Sequence, residues 1–283
     1  MNIATIGIVS ISSIISPTQL DLGTNALVQA GYRVKVAPNV AGPEVAPAAE
    51  RARILERFWL DPEIDMLLFS RGGEGADEVV PLLDWDALRA RPDLPVVGFS
   101  DVTILLNAML AKGVGHPISG PMLSYAGRLT PEARDWFRRV MSGAPLPPMS
   151  LDVLRAADGG EVSGFPMGGH ATRLHWLWKQ GLAPSAAGRI VFIECTARHK
   201  APDVIAGLRE MADGGFFDGA SAVILCDFRH TGEERAALDA FFPSFAASLT
   251  CSVFAGFPYG HVPGIRALDF RRKVAISADG VMR

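Results

Sequence analysis

The feature that most constrains the fold is an alternation of apolar, β-rich runs with helical patterns in the first half of the chain. Residues 3–10, 32–37, 65–69 and 94–98 are predicted strands. Between and after them, residues 18–30, 46–59, 75–83 and 101–110 are predicted helices. Consecutive parallel strands need a helical crossover, so this βαβα order predicts an α/β fold with a doubly wound parallel sheet.

A change of character between residues 141 and 166 predicts a domain boundary, because prolines and glycines there break any regular element. At 283 residues, the chain has the length of about two domains. We therefore expect an N-terminal α/β domain over residues 1–140, a linker over 141–166 and a C-terminal α/β domain over 167–283. In the last of these, residues 189–194, 220–226, 253–257 and 273–277 are predicted strands, and 170–178, 202–212 and 235–241 predicted helices.

Composition excludes several classes of function. The net charge of −3, without a large basic cluster, argues against a nucleic-acid partner. Three cysteines with no C-x-x-C pair argue against a disulfide framework and a thiolate zinc site, and favour a reducing compartment. The uncharged stretches at 1–20 and 241–265 are interrupted by polar residues and prolines, so neither a secretory signal nor a membrane span is expected. We expect a soluble, cytoplasmic protein without a membrane partner.

The sharpest local motif surrounds Ser100. A buried strand ends in Gly98-Phe99-Ser100-Asp101-Val102, and a helix follows directly. In a nucleophile elbow this arrangement exposes a serine hydroxyl at the carboxyl edge of the sheet, and the amide of the next residue can bind an oxyanion. Val102 stands where the G-x-S-x-G pattern has its second glycine, so the match is partial. Helix capping by Ser100 or Asp101 is the alternative interpretation.

Three further segments follow predicted strands. Three glycines in the turn Arg71-Gly72-Gly73-Glu74-Gly75 allow either a close approach of the backbone to an anion or a plain tight turn. Glu194 ends an apolar strand, where ligand sites of α/β sheets usually form, although a surface carboxylate is the alternative. His261 lies in a Gly/Pro-rich loop suited to an exposed base. We assign the remaining histidines, including His170, His175 and a solvated His199, no metal role.

Taken together, the order and spacing of these segments resemble the serine LD-carboxypeptidases, which include murein tetrapeptide carboxypeptidases and microcin C immunity peptidases. The resemblance covers nearly the whole chain. The segments that carry it are Thr5–Val9 with Ser12-Ser13, Arg71–Gly75, Gly98–Thr103, Gly120-Pro121-Met122, Phe192-Ile193-Glu194 and Phe257–His261.

The resemblance implies a flavodoxin/Rossmann-like N-terminal domain, a smaller α/β C-terminal domain and a Ser–His–Glu triad. Ser100 would be the nucleophile, His261 the general base and Glu194 its orienter. The backbone amides of Asp101 and Gly73 would form the oxyanion hole. Candidate substrate-binding residues are Arg71, Gly72, Glu74 and Ser12. The resemblance implies no cofactor or metal, a murein-derived peptide as substrate, and a homodimer.

Several positions depart from the family pattern. Glu74 stands where an aromatic residue is usual, Ser119 replaces a histidine, Cys195 an aspartate and Ile11 a proline. None removes a triad member, so they bear on substrate preference more than on catalysis. Two other functions stay open from the sequence: a microcin-immunity-like peptidase that cleaves an aminoacyl-nucleotide conjugate, and a non-enzymatic α/β protein that binds small molecules.

Overall fold

The structure is a computed structural model that describes residues 4–157 and 160–283. It divides into two compact units, residues 1–131 and 132–283, and the second covers the longer stretch of chain. The division falls ahead of the predicted linker. Ile3, where the first strand was expected to begin, and Gly159 lie outside the described residues.

The first unit alternates strands and helices as the sequence predicts. Its strands are β1 (Thr5–Val9), β2 (Arg33–Val36), β3 (Met66–Phe69), β4 (Pro95–Gly98) and β5 (His116–Ser119). Its helices are α1 (Pro17–Gln29), α2 (Ala48–Leu60), α3 (Ala76–Val79), α4 (Trp85–Leu88) and α5 (Thr103–Lys112), with 3₁₀ turns at Val80–Leu82, Ser100–Val102 and Leu123–Tyr125.

These five strands form a parallel sheet in the order β5-β4-β3-β1-β2. Strands β1, β3 and β4 are buried almost throughout, which explains their continuous apolar sequences. The order reverses direction next to β1, as in doubly wound folds. The predicted α/β fold with a parallel N-terminal sheet is confirmed.

The second unit begins in helix α6 (Pro131–Ser142) and continues with β6 (Met149–Ser150), β7 (Asp152–Arg155) and β8 (Val162–His170). Then follow α7 (Ala171–Lys179), β9 (Arg189–Cys195), α8 (Ala201–Asp213), β10 (Ala222–Phe228), α9 (Gly232–Ser248) and β11 (Ser252–Ala255). Three short strands complete it: β12 (Leu268–Asp269), β13 (Val274–Ile276) and β14 (Val281–Met282).

Its central strands β8, β9, β10 and β11 are parallel neighbours in that order. Strand β7 pairs antiparallel with β11 at one side, and β13, β14 and β6 follow β8 antiparallel at the other. Residues Ile190–Cys195 of β9 are all buried, so this strand lies in the core of the unit.

The structure differs from the sequence analysis over residues 141–166. We expected no regular element there, but β6 and β7 lie in this range and β8 begins in it. Gly164 lies inside β8, close to the adjacent chain segment. A β-carbon at this position would lie only 2.7 Å from the carbonyl oxygen of Gly188, so a larger residue would not fit. The glycine thus permits a close approach of the backbone, whereas we had interpreted it as the end of a regular element.

Helix α9 also differs, since it extends to Ser248 beyond the predicted end at residue 241. The helix passes through Pro243, a residue that removes one backbone hydrogen bond. Leu238, Phe241 and Phe245 are buried on this helix, and their packing offsets that loss.

No helix in the described part of the chain is both long and apolar enough to cross a bilayer.

The burial of β9 yields a stability prediction. Phe192 is fully buried, and its ring packs against Phe257 with centroids 5.1 Å apart. We expect Phe192→Ala to lower the free energy of unfolding by about 3–5 kcal/mol, because it leaves a large cavity. Urea denaturation followed by circular dichroism measures this loss.

The matched control is Phe165→Ala on the neighbouring strand β8, where the side chain is 42% exposed. That change should cost under about 1 kcal/mol. Equal losses in the two variants would contradict the packing described here.

Candidate active site

The backbone at Ser100 is strained. Strand β4 ends at Gly98, Phe99 is extended, and Ser100 has a φ of +63°. Among residues 4–157 and 160–283 it is the only non-glycine residue with a positive φ. A left-handed conformation costs a serine roughly 1–2 kcal/mol, so surrounding contacts must hold it in place. Its half-buried side chain stands just after the carboxyl end of β4, at the start of the 3₁₀ turn that leads into α5.

The side chain of Asp101 ties three segments of the first unit together. It is 1% exposed, and its Oδ2 accepts hydrogen bonds from the Ser12 hydroxyl at 2.6 Å and from the Ala76 amide at 2.9 Å. Ser12 follows β1, Ala76 begins α3, and Asp101 follows Ser100. The carboxylate therefore fixes the turn at Ser100 relative to both neighbouring loops. Because Ser12 is buried and bonded to Asp101, it supports the turn at Ser100 from within the unit.

The glycine turn lies directly against Ser100. A β-carbon at Gly72 would lie 3.0 Å from the Ser100 β-carbon and 3.1 Å from its Oγ, and 3.3 Å from the amide nitrogen of Asp101. Any larger residue at Gly72 would have to displace the serine. The next residue, Gly73, has a φ of +124° and packs against Ser13. The turn predicted from the sequence is thus beside the predicted nucleophile.

The two charged residues of this turn, Arg71 and Glu74, differ in their exposure to solvent. Glu74 is exposed. Arg71 is half-buried, and its guanidinium Nη1 lies 3.4 Å from the carbonyl oxygen of Ile14, at the outer limit of a hydrogen bond. Arg71 therefore contacts the loop that follows β1.

Arg51 of α2 anchors the same turn, a role that we did not predict from the sequence. Its side chain is 4% exposed. The guanidinium donates to the carbonyl oxygens of Gly75 at 3.0 Å and Ala46 at 2.9 Å, to that of Ile11, and to the Glu78 carboxylate at 2.6 Å. One buried cation thus joins the loop after β1 to the glycine turn. Arg51 is one of three arginines on α2, and nothing in the sequence distinguishes it from the others.

In the second unit, Glu194 and His261 form a hydrogen-bonded pair. His261 Nδ1 lies 3.1 Å from Oε2 of Glu194, with side-chain exposures of 27% and 0% respectively. A carboxylate at Nδ1 fixes the tautomer that carries its proton there, which leaves Nε2 as the basic nitrogen. The alternative of a surface carboxylate at Glu194 is wrong, because β9 is buried up to its last residue.

Burial controls the ionisation of Glu194. It raises the pKa of the carboxyl group, while the hydrogen bond and the charge of His261 lower it. Oε1 is buried and has no hydrogen-bond partner among the described residues. The hydrogen bond and the charge of His261 therefore offset the cost of burying the charged carboxylate, as expected of a carboxylate that orients a base.

A buried histidine lies next to this pair. His170 ends β8 and stands opposite Glu194 in the strand register. Its ring centroid is 6.2 Å from that of His261 and 5.0 Å from that of His199. Burial holds its pKa well below the ordinary value, because a protonated ring would be poorly solvated there. We predicted a helix over residues 170–178 and a solvated His199, but His170 ends a strand and His199 is half-buried against it.

The structure therefore brings the predicted residues together in two groups. Ser100, Asp101, Gly72, Gly73 and Ser12 meet in the first unit. Glu194 and His261 meet in the second. Among the described residues, no group of three or more His, Cys, Asp or Glu side chains is arranged to hold a metal ion.

Comparisons with known proteins cover both units. The profile of the LD-carboxypeptidase N-terminal domain matches residues 6–119, and that of the LD-carboxypeptidase C-terminal domain matches residues 163–276. The first match contains Ser100 and the glycine turn, and the second contains Glu194 and His261.

Individual relatives agree with these matches. A Streptomyces coelicolor protein, provisionally named a carboxypeptidase, is 28% identical over 82% of this chain and 74% of its own. The murein tetrapeptide carboxypeptidase of Pseudomonas aeruginosa is 34% identical over 40% of this chain and 35% of its own. The crystal structure of a muramoyltetrapeptide carboxypeptidase from Oxalobacter formigenes superposes with a TM-score of 0.84 at 21% identity, covering 99% of this chain and 97% of that one. The two domain matches account for most of the sequence, and the chain belongs to the LD-carboxypeptidase family of peptidases.

Proposed function

We propose that this peptidase is a serine LD-carboxypeptidase in which Ser100 is the nucleophile, His261 the general base and Glu194 the residue that orients it. The observation that carries the proposal is the left-handed φ of Ser100, since a strained serine between a strand and a helix is the mark of a nucleophile elbow. The pairing of Glu194 with His261 supplies the other half of the chemistry. The proposal requires the two groups to act on one substrate.

The proposed oxyanion hole consists of the backbone amides of Asp101 and Gly73. The amide of Asp101 opens the helical turn that leads into α5, where the helix dipole favours negative charge. The approach of Gly72 to Ser100 supports Gly73 as the second donor, because it brings the turn within contact distance of the serine. Removing one such donor typically costs about 10²–10³-fold in rate.

The reaction follows from these roles. Ser100 Oγ attacks the carbonyl carbon of the L-residue while His261 Nε2 takes the hydroxyl proton. The negative charge on the carbonyl oxygen is stabilised in the oxyanion hole. The C–N bond then breaks, and His261 gives its proton to the departing amine. Water attacks the acyl-enzyme with His261 again as base, and the proton returns to Ser100 as the acid product leaves.

We propose a murein-derived peptide as substrate, with cleavage between the L-centre of its diamino acid and a terminal D-alanine. The similarity to the murein tetrapeptide carboxypeptidase of Pseudomonas aeruginosa supports this choice. A terminal carboxylate needs a cationic or amide-rich partner, and Arg71 beside the glycine turn is our candidate. Glu74 is exposed on the same turn and is our candidate for contact with a substrate amine.

We also propose that the protein works in a reducing compartment, the cytoplasm. Its three cysteines are unpaired, and burial raises the pKa of the Cys195, Cys226 and Cys251 thiols. Thiols in this state are poor nucleophiles. The homodimer expected from the family resemblance stays a prediction.

Replacement of the nucleophile tests the proposal. We expect Ser100→Ala to reduce D-alanine release from purified murein tetrapeptide by about 10⁴-fold or more, because the acyl-enzyme cannot form. Mass spectrometry of the products measures it. Ser142→Ala, at the exposed end of α6, is the control and should retain wild-type turnover. Undiminished release by Ser100→Ala with an unchanged fold would overturn the proposed mechanism.

The contact between the glycine turn and the serine gives a second prediction. Gly72→Ala should lower kcat by about ten- to a hundredfold, because the added methyl group displaces Ser100 from its reactive position. Steady-state kinetics on the tetrapeptide measures the effect. The control is Gly42→Ala in the same unit, where the nearest atom to an added β-carbon is 3.8 Å away. Equal kcat values for the two variants would contradict the geometry at Ser100.

Substrate class is decided by a parallel assay of wild-type protein. Murein tetrapeptide and an aminoacyl-nucleotide conjugate are supplied at equal concentration, and product formation is followed by mass spectrometry. We expect turnover of the tetrapeptide to be at least tenfold faster. Faster cleavage of the conjugate would favour the microcin-immunity-like activity, and absence of turnover of both would favour a binding protein.

A further inference from the structure

A second carboxylate, Asp227, adjoins the Glu194–His261 pair. It lies near the carboxyl end of β10, the parallel neighbour of β9. The pairing register of these strands shifts between Leu225 and Phe228, so Asp227 lies in an irregular stretch of the ladder. Its amide donates instead to the carbonyl oxygen of Tyr259 at 3.1 Å. The end of β10 is thereby tied to the loop that carries His261.

Gly260 brings both carboxylates close to this loop. It has a φ of +134°, and a β-carbon there would lie 3.1 Å from the β-carbon of Asp227 and 3.3 Å from that of Glu194. The two acidic side chains therefore start at contact distance from the residue that precedes His261. Only glycine meets both the backbone angle and the available space.

The carboxylate of Asp227 is partly buried and lies near positively charged side chains. Its side chain is 26% exposed, and Oδ2 is buried without a hydrogen-bond partner among the described residues. Arg229 Nε is 3.8 Å from that oxygen. Burial raises the pKa of Asp227, and the positive charges of Arg229, His261 and Arg235 offset part of that increase.

The same carboxylate acts on the catalytic pair. The pKa of Glu194 is raised first by burial and further by the negative charge of Asp227. In the second unit, the titratable groups near His261 are Glu194 from β9, Asp227 from β10 and His170 from β8, with His199 behind His170. A negative charge on either carboxylate favours the protonated imidazole of His261, and burial of His170 disfavours a competing positive charge beside it.

We infer that Asp227 is a positioning residue whose negative charge stabilises the imidazolium of His261. The inference rests on the proposed function, in which His261 is protonated when Ser100 attacks. Glu194 holds the imidazole by a hydrogen bond at Nδ1, and Asp227 contributes through space. Nearby negative charge favours the charged form of a histidine, and the effect is larger where burial reduces the dielectric constant.

The charge can be removed without altering the packing. Asp227→Asn keeps the side-chain volume and the backbone hydrogen bond to Tyr259. Activity rises with pH as His261 loses its proton, so a less stable imidazolium moves the acidic limb of kcat/KM to lower pH. We expect a shift of about 0.5–1 pH unit, a three- to tenfold lower kcat at the optimum and a KM within about twofold of wild type.

Two variants serve as controls. Asp213→Asn removes an exposed aspartate at the end of α8 and should leave the profile unchanged. Asp227→Glu retains the charge and should keep the acidic limb close to its wild-type position. A shifted limb in Asp227→Glu as large as that in Asp227→Asn, or an unshifted limb in Asp227→Asn, would overturn the inference.

A second readout does not depend on turnover. The Cε1 proton of His261, identified by its loss in His261→Gln, is titrated by NMR in Ser100→Ala with and without Asp227→Asn. The midpoint should fall by about 0.5–1 pH unit when Asp227 is replaced. An identical midpoint would reject the role of Asp227. Full peptidase activity of Ser100→Ala would instead reject the proposed function and leave the NMR result standing.

Discussion

Both groups of candidate residues depend on one constraint, the common direction of neighbouring strands in each sheet. Parallel strands end at the same edge, so the segments that follow them meet there although they are far apart in sequence. In the first unit this edge collects the loop after β1, the glycine turn after β3 and Ser100 after β4. In the second unit it collects His170, Glu194, Asp227 and the loop after β11 that bears His261. Hydrogen bonds to Asp101 in the first unit, and between Glu194 and His261 in the second, then hold each group in place.

Much of the first unit was predictable because its signals are local. Buried parallel strands have continuous apolar sequences, and the turns between strands and helices contain glycine or serine, so β1, β3 and β4 and the turn at Ser100 followed from the sequence. The positions of Glu194 and His261 were predictable as strand-end and loop residues. Their pairing was implied only by the family resemblance, because they lie 67 positions apart in sequence and the β9-to-β11 strand order brings them together.

The residues that sequence reasoning missed act over distance or through burial. Arg51 appears in the sequence as one of several charged residues on an amphipathic helix, and its four acceptors lie on three separate segments. His170 was assigned to the start of a helix, whereas it is the last residue of β8, a strand that also contains Gly168 and Gly169. Asp227 follows an apolar run like many strand-end acids, and nothing local shows that it flanks a histidine loop.

The contacts of Arg51 have a consequence for how such a site can diversify. Three of its four acceptors are main-chain carbonyl oxygens, at Ile11, Ala46 and Gly75. Backbone acceptors are present whatever side chain a position carries. The loops around the nucleophile can therefore carry different side chains while this one cation preserves their path. The departures from the family pattern at Ile11 and Glu74 lie in these loops. Side chains there can change the preference for a ligand while the backbone keeps its path.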